Sequence, residues 1–413
     1  MCYNICMKKQ NKIGFRGILI IILAILNIVM IGLLGFYVVP TYRTQKLQMN
    51  ELNEIQEQEE QREEEEPKTA QFSFVGVGDN LIHETVYYYR DKPYNFDGIY
   101  ENTKKYTEPA DFAYINAETL MIGEEYGLGG YPMFNGPTEL LDSISKAGFD
   151  WISMGSNHTM DRGIEGLEAQ LDLLANEYPS LTVTGSHREP NEEPVVRNIK
   201  GINVGMVGYT YGLNGNYVPE DKAWMIDMID PDKIRADLEE LNKVSDVQIV
   251  TMHWGTEYHT EIEEEQKELM KLLNEMGVEV VIGSHPHVIK PVELYHGEKQ
   301  DTLVYYSLGN FISAQNMPEC LIGGMASFDL KYDFESAETT FENIKFIPTV
   351  SYVSKDLRTY KTNTILEYTD EMANDQWQQT QSGIPCTKEF VNNFVKKVME
   401  GYEDENIEVV YSE

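Results

Sequence analysis

Positive charge and cysteine are both scarce in this sequence, and each scarcity narrows what the chain can do. Its 413 residues hold 33 Lys and Arg against 68 Asp and Glu, for a formal net charge of −35. Five of the bases (Lys8, Lys9, Lys12, Arg16 and Arg43) fall within residues 1–43, which hold no acid, so the other 370 residues carry −40. So acidic a surface repels phosphate backbones and excludes a nucleic-acid binder. Four cysteines are too few for a disulfide scaffold. Cys2 and Cys6 precede a long apolar run, which leaves Cys320 and Cys386 as the pair the main domain could form, with no sequence signal that they do. Wholesale disorder is excluded too, because 42% of the residues are hydrophobic and 11% aromatic, enough for a packed core.

Charge is also missing from Gly17 to Val39, 23 residues in which Asn27 is the one strongly polar side chain. As a helix this run is about 35 Å long, enough to cross a hydrocarbon layer of roughly 30 Å. A cleavable signal peptide has a shorter apolar region of about 7–15 residues and a small-residue cleavage site. Here the run ends Phe36-Tyr37-Val38-Val39-Pro40, with no such site and no nearby cysteine for a lipid. The expectation is an uncleaved single-pass anchor in the cell membrane. Lys8, Lys9, Lys12 and Arg16 precede it, while Arg43 and Lys46 follow. The positive-inside rule then leaves the N-terminus in the cytoplasm and the main domain outside. Nine Glu between Glu51 and Glu66 read as a solvated spacer. The expected organisation is residues 1–16 cytoplasmic, 17–39 transmembrane, 40–70 an acidic linker, 71–330 the main domain, and 331–413 a C-terminal extension packed on it.

Strand and helix patterns alternate through the main domain. Strands are expected at 71–78, 111–118, 149–155, 181–185, 246–255 and 278–287, with hairpins at 195–209 and at 290–295 with 301–310. Helices are expected at 137–147, 164–176, 230–244, 262–276 and 388–401, and further β character at 322–331 and 339–347. Asp230-Pro231 is a cap followed by Pro at the first helical position. The alternation predicts an α/β domain with central sheets.

Chemistry-bearing residues gather at the ends of those strands. Asp79, Glu118, Asn157, His158, His253, His285 and His287 all sit at or just past a strand's C-terminal end, the rim where open α/β sheets bind ligands. Taken singly, Gly78-Asp79 reads as a turn, and His253 as a hydrogen-bonded core imidazole. In His285-Pro286-His287 two imidazoles stand two residues apart on a stiffened, extended chain. Together the carboxylates, the amide and the imidazoles predict a metal site. A bridging carboxylate offsets the repulsion between two cations, and neutral donors fill the other positions without excess negative charge. Such a mixed set suits two divalent ions, Mn, Fe or Zn. A pair roughly 3.5–4 Å apart polarises a phosphoryl oxygen and generates a nucleophile from water. Trp151 reads as core, Trp254 as packing under the site, and Tyr87, Tyr88 and Tyr89 as a half-buried face.

The segments GVGDN (76–80), YINAET (114–119), GFDWISMGSNHTMDRGIEGL (148–167), MHWGTEY (252–258), GSHPHVIKPVE (283–293) and YSLGNF (306–311) resemble, in order, the motifs of the capsule-synthesis, poly-γ-glutamate biosynthesis protein family (CapA/PgsA-like). That family lies in the calcineurin-like metallophosphoesterase superfamily, so the resemblance implies a four-layer α/β/β/α sandwich over residues 71–330, behind the N-terminal transmembrane helix. It further implies that Asp79 and His287 hold one metal, that Asn157, His253 and His285 hold the second, and that Glu118 bridges them. His158 becomes the general acid or the group holding the scissile phosphate, with Asp161 and Asn310 supporting the ligands from behind. Three positions depart from the pattern. Asp79-Asn80-Leu81 lacks the Asp-x-His of the superfamily, with His83 a distant substitute. Ser156 stands where relatives often carry Asn, and Ser284 where they often carry His.

The function expected is an extracytoplasmic metal-dependent hydrolase of phosphoesters in capsule or poly-γ-glutamate biosynthesis. Its partners would be the cell membrane, an anionic polymer or phosphoester substrate, and membrane-bound polymer synthase subunits. The alternative is a non-catalytic metal-binding component of a polymer synthesis or export assembly, and a weaker third is a tethered binding module.

Overall fold

The computed structural model describes residues 15–38, 44–50, 52–53 and 68–412. The expected cytoplasmic residues 1–14 and most of the acidic linker, 54–67, lie outside the described residues. The chain divides into two units, Met1–Pro67 and Lys68–Glu413.

In the first unit Phe15–Leu33 is an α-helix that passes into a π turn at Leu34–Val38. Leu19–Phe36 is long and apolar enough to cross a membrane. Its polar side chain is satisfied within the helix, because Asn27 Nδ2 donates to Leu23 O at 3.1 Å. That internal bond lowers the cost of an amide at hydrocarbon depth.

The second unit is built on strands β1 (Thr69–Asn80), β2 (Phe112–Asn116), β3 (Trp151–Ser153), β4 (Thr182–Thr184), β5 (Val195–Ile199), β6 (Ile202–Thr210), β7 (Val247–His253) and β8 (Val280–Ser284). It continues with β9 (Val292–His296), β10 (Asp301–Tyr305), β11 (Asn310–Ile312), β12 (Ile322–Asp333), β13 (Glu338–Val353), β14 (Tyr360–Thr364) and β15 (Ile407–Val409). They form two sheets. The first has nine strands in the order β14-β13-β12-β1-β2-β3-β4, with β11 beside β1 and β15 beside β13. The second has six, β5-β6-β7-β8-β10-β9. In the first sheet β1 to β4 run parallel, and in the second β6, β7, β8 and β10 do.

Side-chain alternation explains the layering. Along β1, Phe72 and Phe74 face the second sheet and pack with Val204, Ile249 and Ile282, whereas Val75 and Val77 face helices. Along β7, Val247 and Ile249 face inward and Val250 and Met252 outward. Strands apolar on both faces must be covered on both. Helix Glu139–Lys146 covers the first sheet through Leu140, Leu141 and Ile144, and helices Pro231–Leu241 and Glu264–Glu275 cover the second. The result is a four-layer α/β/β/α sandwich.

The helix-start signals act as their chemistry requires. Asp230 Oδ1 accepts from the amides of Asp232 and Lys233 at 2.9 and 3.0 Å, ahead of Pro231. Glu263 and Gln266 form a capping box at the start of the helix that follows β7.

One expected strand divides. The 301–310 run ends as β10 at Tyr305, and Asn310 opens β11, which pairs with β1 of the other sheet. The turn between them crosses from one sheet to the other, and its Gly309 has φ +58°. Strands β13, β14 and β15 and helix Lys388–Met399, all C-terminal to residue 331, belong to the first sheet and its cover. Cys320 and Cys386 are buried free thiols.

Candidate metal centre

Parallel strands in both sheets end on one rim, and the polar cluster lies there. Asp79 sits near the end of β1, Glu118 two residues past β2, Asn157 four past β3, His253 at the end of β7, and His285 and His287 just past β8. All are buried. Close backbone approach brings the elements together. A Cβ on Gly78 would stand 1.9 Å from Gly309 O, and one on Gly283 2.0 Å from Tyr306 O, so neither position accepts a side chain. Below the rim Thr251 Oγ1 of the second sheet donates to Ser153 Oγ of the first at 3.2 Å.

Glu118 is at the centre. Its Oε1 lies 3.6 Å from His253 Nε2 and 3.7 Å from His287 Nε2, and neither of its oxygens has a hydrogen-bond partner among the described residues. Asn157 Oδ1 is 3.0 Å from His253 Nε2, and Asp79 Oδ2 is 3.3 Å from His287 Nδ1. Ligand atoms of Asp79, Glu118 and His287 lie within 4.8 Å of one another, as do those of Glu118, His253 and His285. The two groups share Glu118.

The backs of the rings are held. His253 Nδ1 is 2.9 Å from Ser284 Oγ, and His287 Nδ1 is 3.1 Å from Asn310 Oδ1. An imidazole that donates its Nδ1–H to such an acceptor presents an unprotonated Nε2, the form a cation needs. Asn310 is itself oriented by Cys320 O at 2.9 Å and Gln315 Oε1 at 2.7 Å. Trp254 lies beneath the site, its indole N–H donating to Tyr306 O at 2.9 Å.

The electrostatics favour a cation. Burial raises the Glu118 carboxyl well above its ordinary range, against the opposing pull of His287. Burial also holds His253 well below its ordinary value and lowers His285 to about 3, so both imidazoles are neutral. At His287 burial acts downward, but the Glu118 charge and the Asp79 hydrogen bond prevail and raise it to about 9. A buried carboxylate with both oxygens unpartnered costs free energy unless something positive faces it. Two carboxylates, the neutral imidazoles of His253 and His285, a His287 ring whose proton a cation would displace, and an amide oxygen fit divalent Mn, Fe or Zn. The residues present thus fit a metal.

His158 lies beside this group. Its Nδ1 is 2.6 Å from Asp161 Oδ2, which also accepts from Phe134 N at 2.6 Å, and the Phe134 ring packs edge-on to it at 4.7 Å between centroids. Asp161 thereby fixes the ring and leaves Nε2 free. Ser156 Oγ accepts from the His158 amide at 3.2 Å, so both serine departures have defined contacts. Leu81, in place of a ligand, is buried, and Asn80 Oδ1 accepts from Tyr100 OH at 3.0 Å. His83 Nδ1 accepts from the Ala314 amide at 3.2 Å, and burial lowers its pKa to about 4. That nitrogen is therefore occupied. Among the three tyrosines set aside, Tyr87 is buried and Tyr88 and Tyr89 are exposed.

The sequence reading missed three residues. Asn116 Nδ2 donates to Asp79 Oδ1 at 2.8 Å and orients it. The ring of Tyr211 lies 4.4 Å from that of His285, with no motif to announce it. Glu257 has a carboxylate oxygen within 4.8 Å of nitrogens on both His285 and His287. It stands in MHWGTEY, where its nearness to His253 was the available signal.

The family profile of the bacterial capsule synthesis protein PGA_cap matches residues 73–315, more than half of the chain. The chain belongs to this family. It is 25% identical over 194 residues to the PGA biosynthesis protein CapA of Bacillus subtilis (strain 168), covering 47% of this chain and 50% of that protein. It is 22% identical over 250 residues to the capsule biosynthesis protein CapA of Bacillus anthracis, covering 58% and 59%. The chain thus spans between half and three-fifths of the length of these curated relatives. Among solved structures it is similar to a phosphatase from Mycoplasma pneumoniae, with 14% identity, TM-score 0.43, and 68% of this chain and 94% of that one covered. It is also similar to a 5'-nucleotidase precursor from Thermus thermophilus, with 15% identity, TM-score 0.42, and 71% and 54% covered.

Proposed function

We propose that the protein is a membrane-anchored, extracytoplasmic metal-dependent hydrolase of the phosphoesterase type, acting in capsule or poly-γ-glutamate biosynthesis. The observation that carries this reading is Glu118, buried with both oxygens unpartnered and with the imidazoles of His253 and His287 both near its Oε1. Asp79, Glu118, Asn157, His253, His285 and His287 would hold two divalent cations, with Glu118 shared. Bound there, the ions would supply a polarised phosphoryl oxygen and an activated water.

The chain's own contribution centres on His158. With Nδ1–H committed to Asp161, its Nε2 can receive a proton and deliver it to a leaving oxygen, or donate to a phosphoryl oxygen. Asp161 stabilises the charged ring that this cycle requires, and Phe134 shields it from water. Asn116 and Asn310 keep Asp79 and His287 oriented. The apolar helix Leu19–Phe36 supports membrane association, and the relatives' names support a place in polymer biosynthesis. Membrane-bound polymer synthase subunits are the partners this reading expects.

A second reading, a non-catalytic metal-binding component of the polymer assembly, is favoured by Leu81, which leaves the Asp79 side one imidazole short. Metal analysis of the full-length protein in detergent, with a screen of phosphomonoesters and phosphodiesters, tests both. Bound metal with turnover supports the hydrolase and bound metal without turnover the assembly component. Absence of metal from the native protein removes both.

A further inference from the structure

Glu257 lies outside the ligand set that the family resemblance supplies. Its side chain is exposed, yet its carboxylate lies with His285 and His287 in a third group of ligand atoms within 4.8 Å of one another. Two independent features make this more than a chance acid near a site. First, His285 Nδ1 is buried and lacks a hydrogen-bond partner among the described residues, although buried ring nitrogens normally have one. Second, the segment bearing Glu257 is pinned against the histidine segment. Trp254 N donates to Ser284 O at 3.1 Å and Tyr258 N to Pro286 O at 2.8 Å. Tyr258 is held at φ +67°, which a non-glycine residue rarely adopts.

The far end of the loop is tied down by a buried cation. The Lys290 side chain is fully buried, and its ammonium donates to Glu261 O at 2.8 Å and Gln266 Oε1 at 2.7 Å. Glu263 Oε1 at 3.8 Å and these two hydrogen bonds offset the cost of burying the charge, so the loop is held against the second sheet's rim by a paired cation. Ligand number gives that position a use. Asp79, Glu118 and His287 offer three donors, and Glu118, His253 and His285 make four with Asn157, whereas zinc takes four donors and manganese six.

We propose that Glu257 is a ligand of the metal centre, supplying a carboxylate oxygen on the solvent side to a cation also held by His285 or His287. This rests on the metal-centre reading above. Because Glu257 is exposed and the other donors are buried, it is the exchangeable ligand, the one a substrate oxygen displaces.

The test is Mn²⁺ titration of the full-length protein in detergent, following free Mn²⁺ by electron paramagnetic resonance, then release into excess chelator. Glu257→Ala and the isosteric Glu257→Gln should each weaken one Mn²⁺ site about 10–100-fold, the range for lost support of a metal site, and speed its release. The metal-free melting temperature should not change. Glu261→Ala, which removes a neighbouring exposed acid, should bind Mn²⁺ as the native protein does. Unaltered binding and release in both Glu257 variants would overturn the proposal, as would equal weakening by Glu261→Ala, which would mark a general charge effect. Failure of the native protein to bind Mn²⁺, Zn²⁺ or Fe²⁺ would instead remove the metal-centre reading, and this proposal with it.

Discussion

Replacing His158 by Asn isolates one atom of the proposed mechanism. The amide nitrogen of Asn occupies nearly the position of imidazole Nδ1, so the bond to Asp161, 2.6 Å in the native protein, can be kept while Nε2 is removed. Asp161 Oδ2 also keeps the hydrogen bond from Phe134 N at 2.6 Å. The stability change should therefore be limited to lost ring contact with Phe134, about 1 kcal/mol. His158→Ala removes the Asp161 bond as well and should cost a further ~1.5–3 kcal/mol, the usual worth of a hydrogen bond to a charged group. Losing a positioned general acid should lower turnover about 10²–10⁴-fold, or roughly 3–5 kcal/mol in the barrier. The assay is turnover of a chromogenic phosphodiester with metal content and melting temperature measured on the same samples. Metal should be unchanged, since His158 is in neither group that contains Glu118. Native turnover with full metal would refute the proton-transfer role, and loss of metal would refute the separation of His158 from the ligands.

The other perturbations probe the support around the centre. Ser284→Ala leaves His253 Nδ1 without its 2.9 Å partner and should weaken metal binding about 10–100-fold, as calorimetric titration would show, without abolishing it. Glu279 tests the electrostatics of burial away from the metal. Burial raises its carboxyl from 4.5 to about 8, so the folded state binds more protons between those values. Its contribution is thus fully present below about pH 4.5 and is lost as pH rises through 8, by up to roughly 5 kcal/mol. Metal-free melts of Glu279→Gln against the native protein should show the variant gaining relative stability from pH 5 to 8, and parallel curves would contradict the assignment. Chelation should lower the melting temperature, since an ion at one hundred times its dissociation constant adds about 2.7 kcal/mol. An unchanged melt after verified metal removal would argue against a centre that joins the sheets.

The parts of the fold legible in the sequence were those set by local chemistry. The alternation of strand and helix patterns located the strands that carry the site, and the Asp230-Pro231 cap located a helix start. The run from 301 to 310 was misjudged because β10 and β11 are both apolar and nearly contiguous. Their assignment to different sheets depends on Gly309, whose backbone packs against β1, and a strand pattern does not encode that contact. The candidate site shows the same division. Residues at strand ends could be found because strand ends are visible in sequence. Asn116 and Tyr211 also stand at strand ends and Glu257 near His253, but what each does depends on its distance to Asp79, His285 or His287 in segments tens of residues away.

His285-Pro286-His287 shows how a readable motif can hide its physical basis. The spacing suggests an extended chain with both rings on one side, but the backbone instead has φ +95° at His285 and +58° at His287. Non-glycine residues in such conformations cost about 1–3 kcal/mol each. The surroundings hold them there: Asp79 Oδ2 accepts from His285 N at 3.4 Å, Pro286 O accepts from Tyr258 N at 2.8 Å, and Lys290 N donates to Ser307 O at 3.1 Å. These contacts come from β1, the Glu257 loop and the turn that crosses between the sheets. The strain is therefore offset by contacts within the packed sandwich. Rings positioned in this way meet a cation without first being ordered, so binding free energy is not spent on arranging the ligands. The close packing at Gly78 and Gly283 serves the same end, since a side chain at either position would push apart the segments that keep both histidines in place.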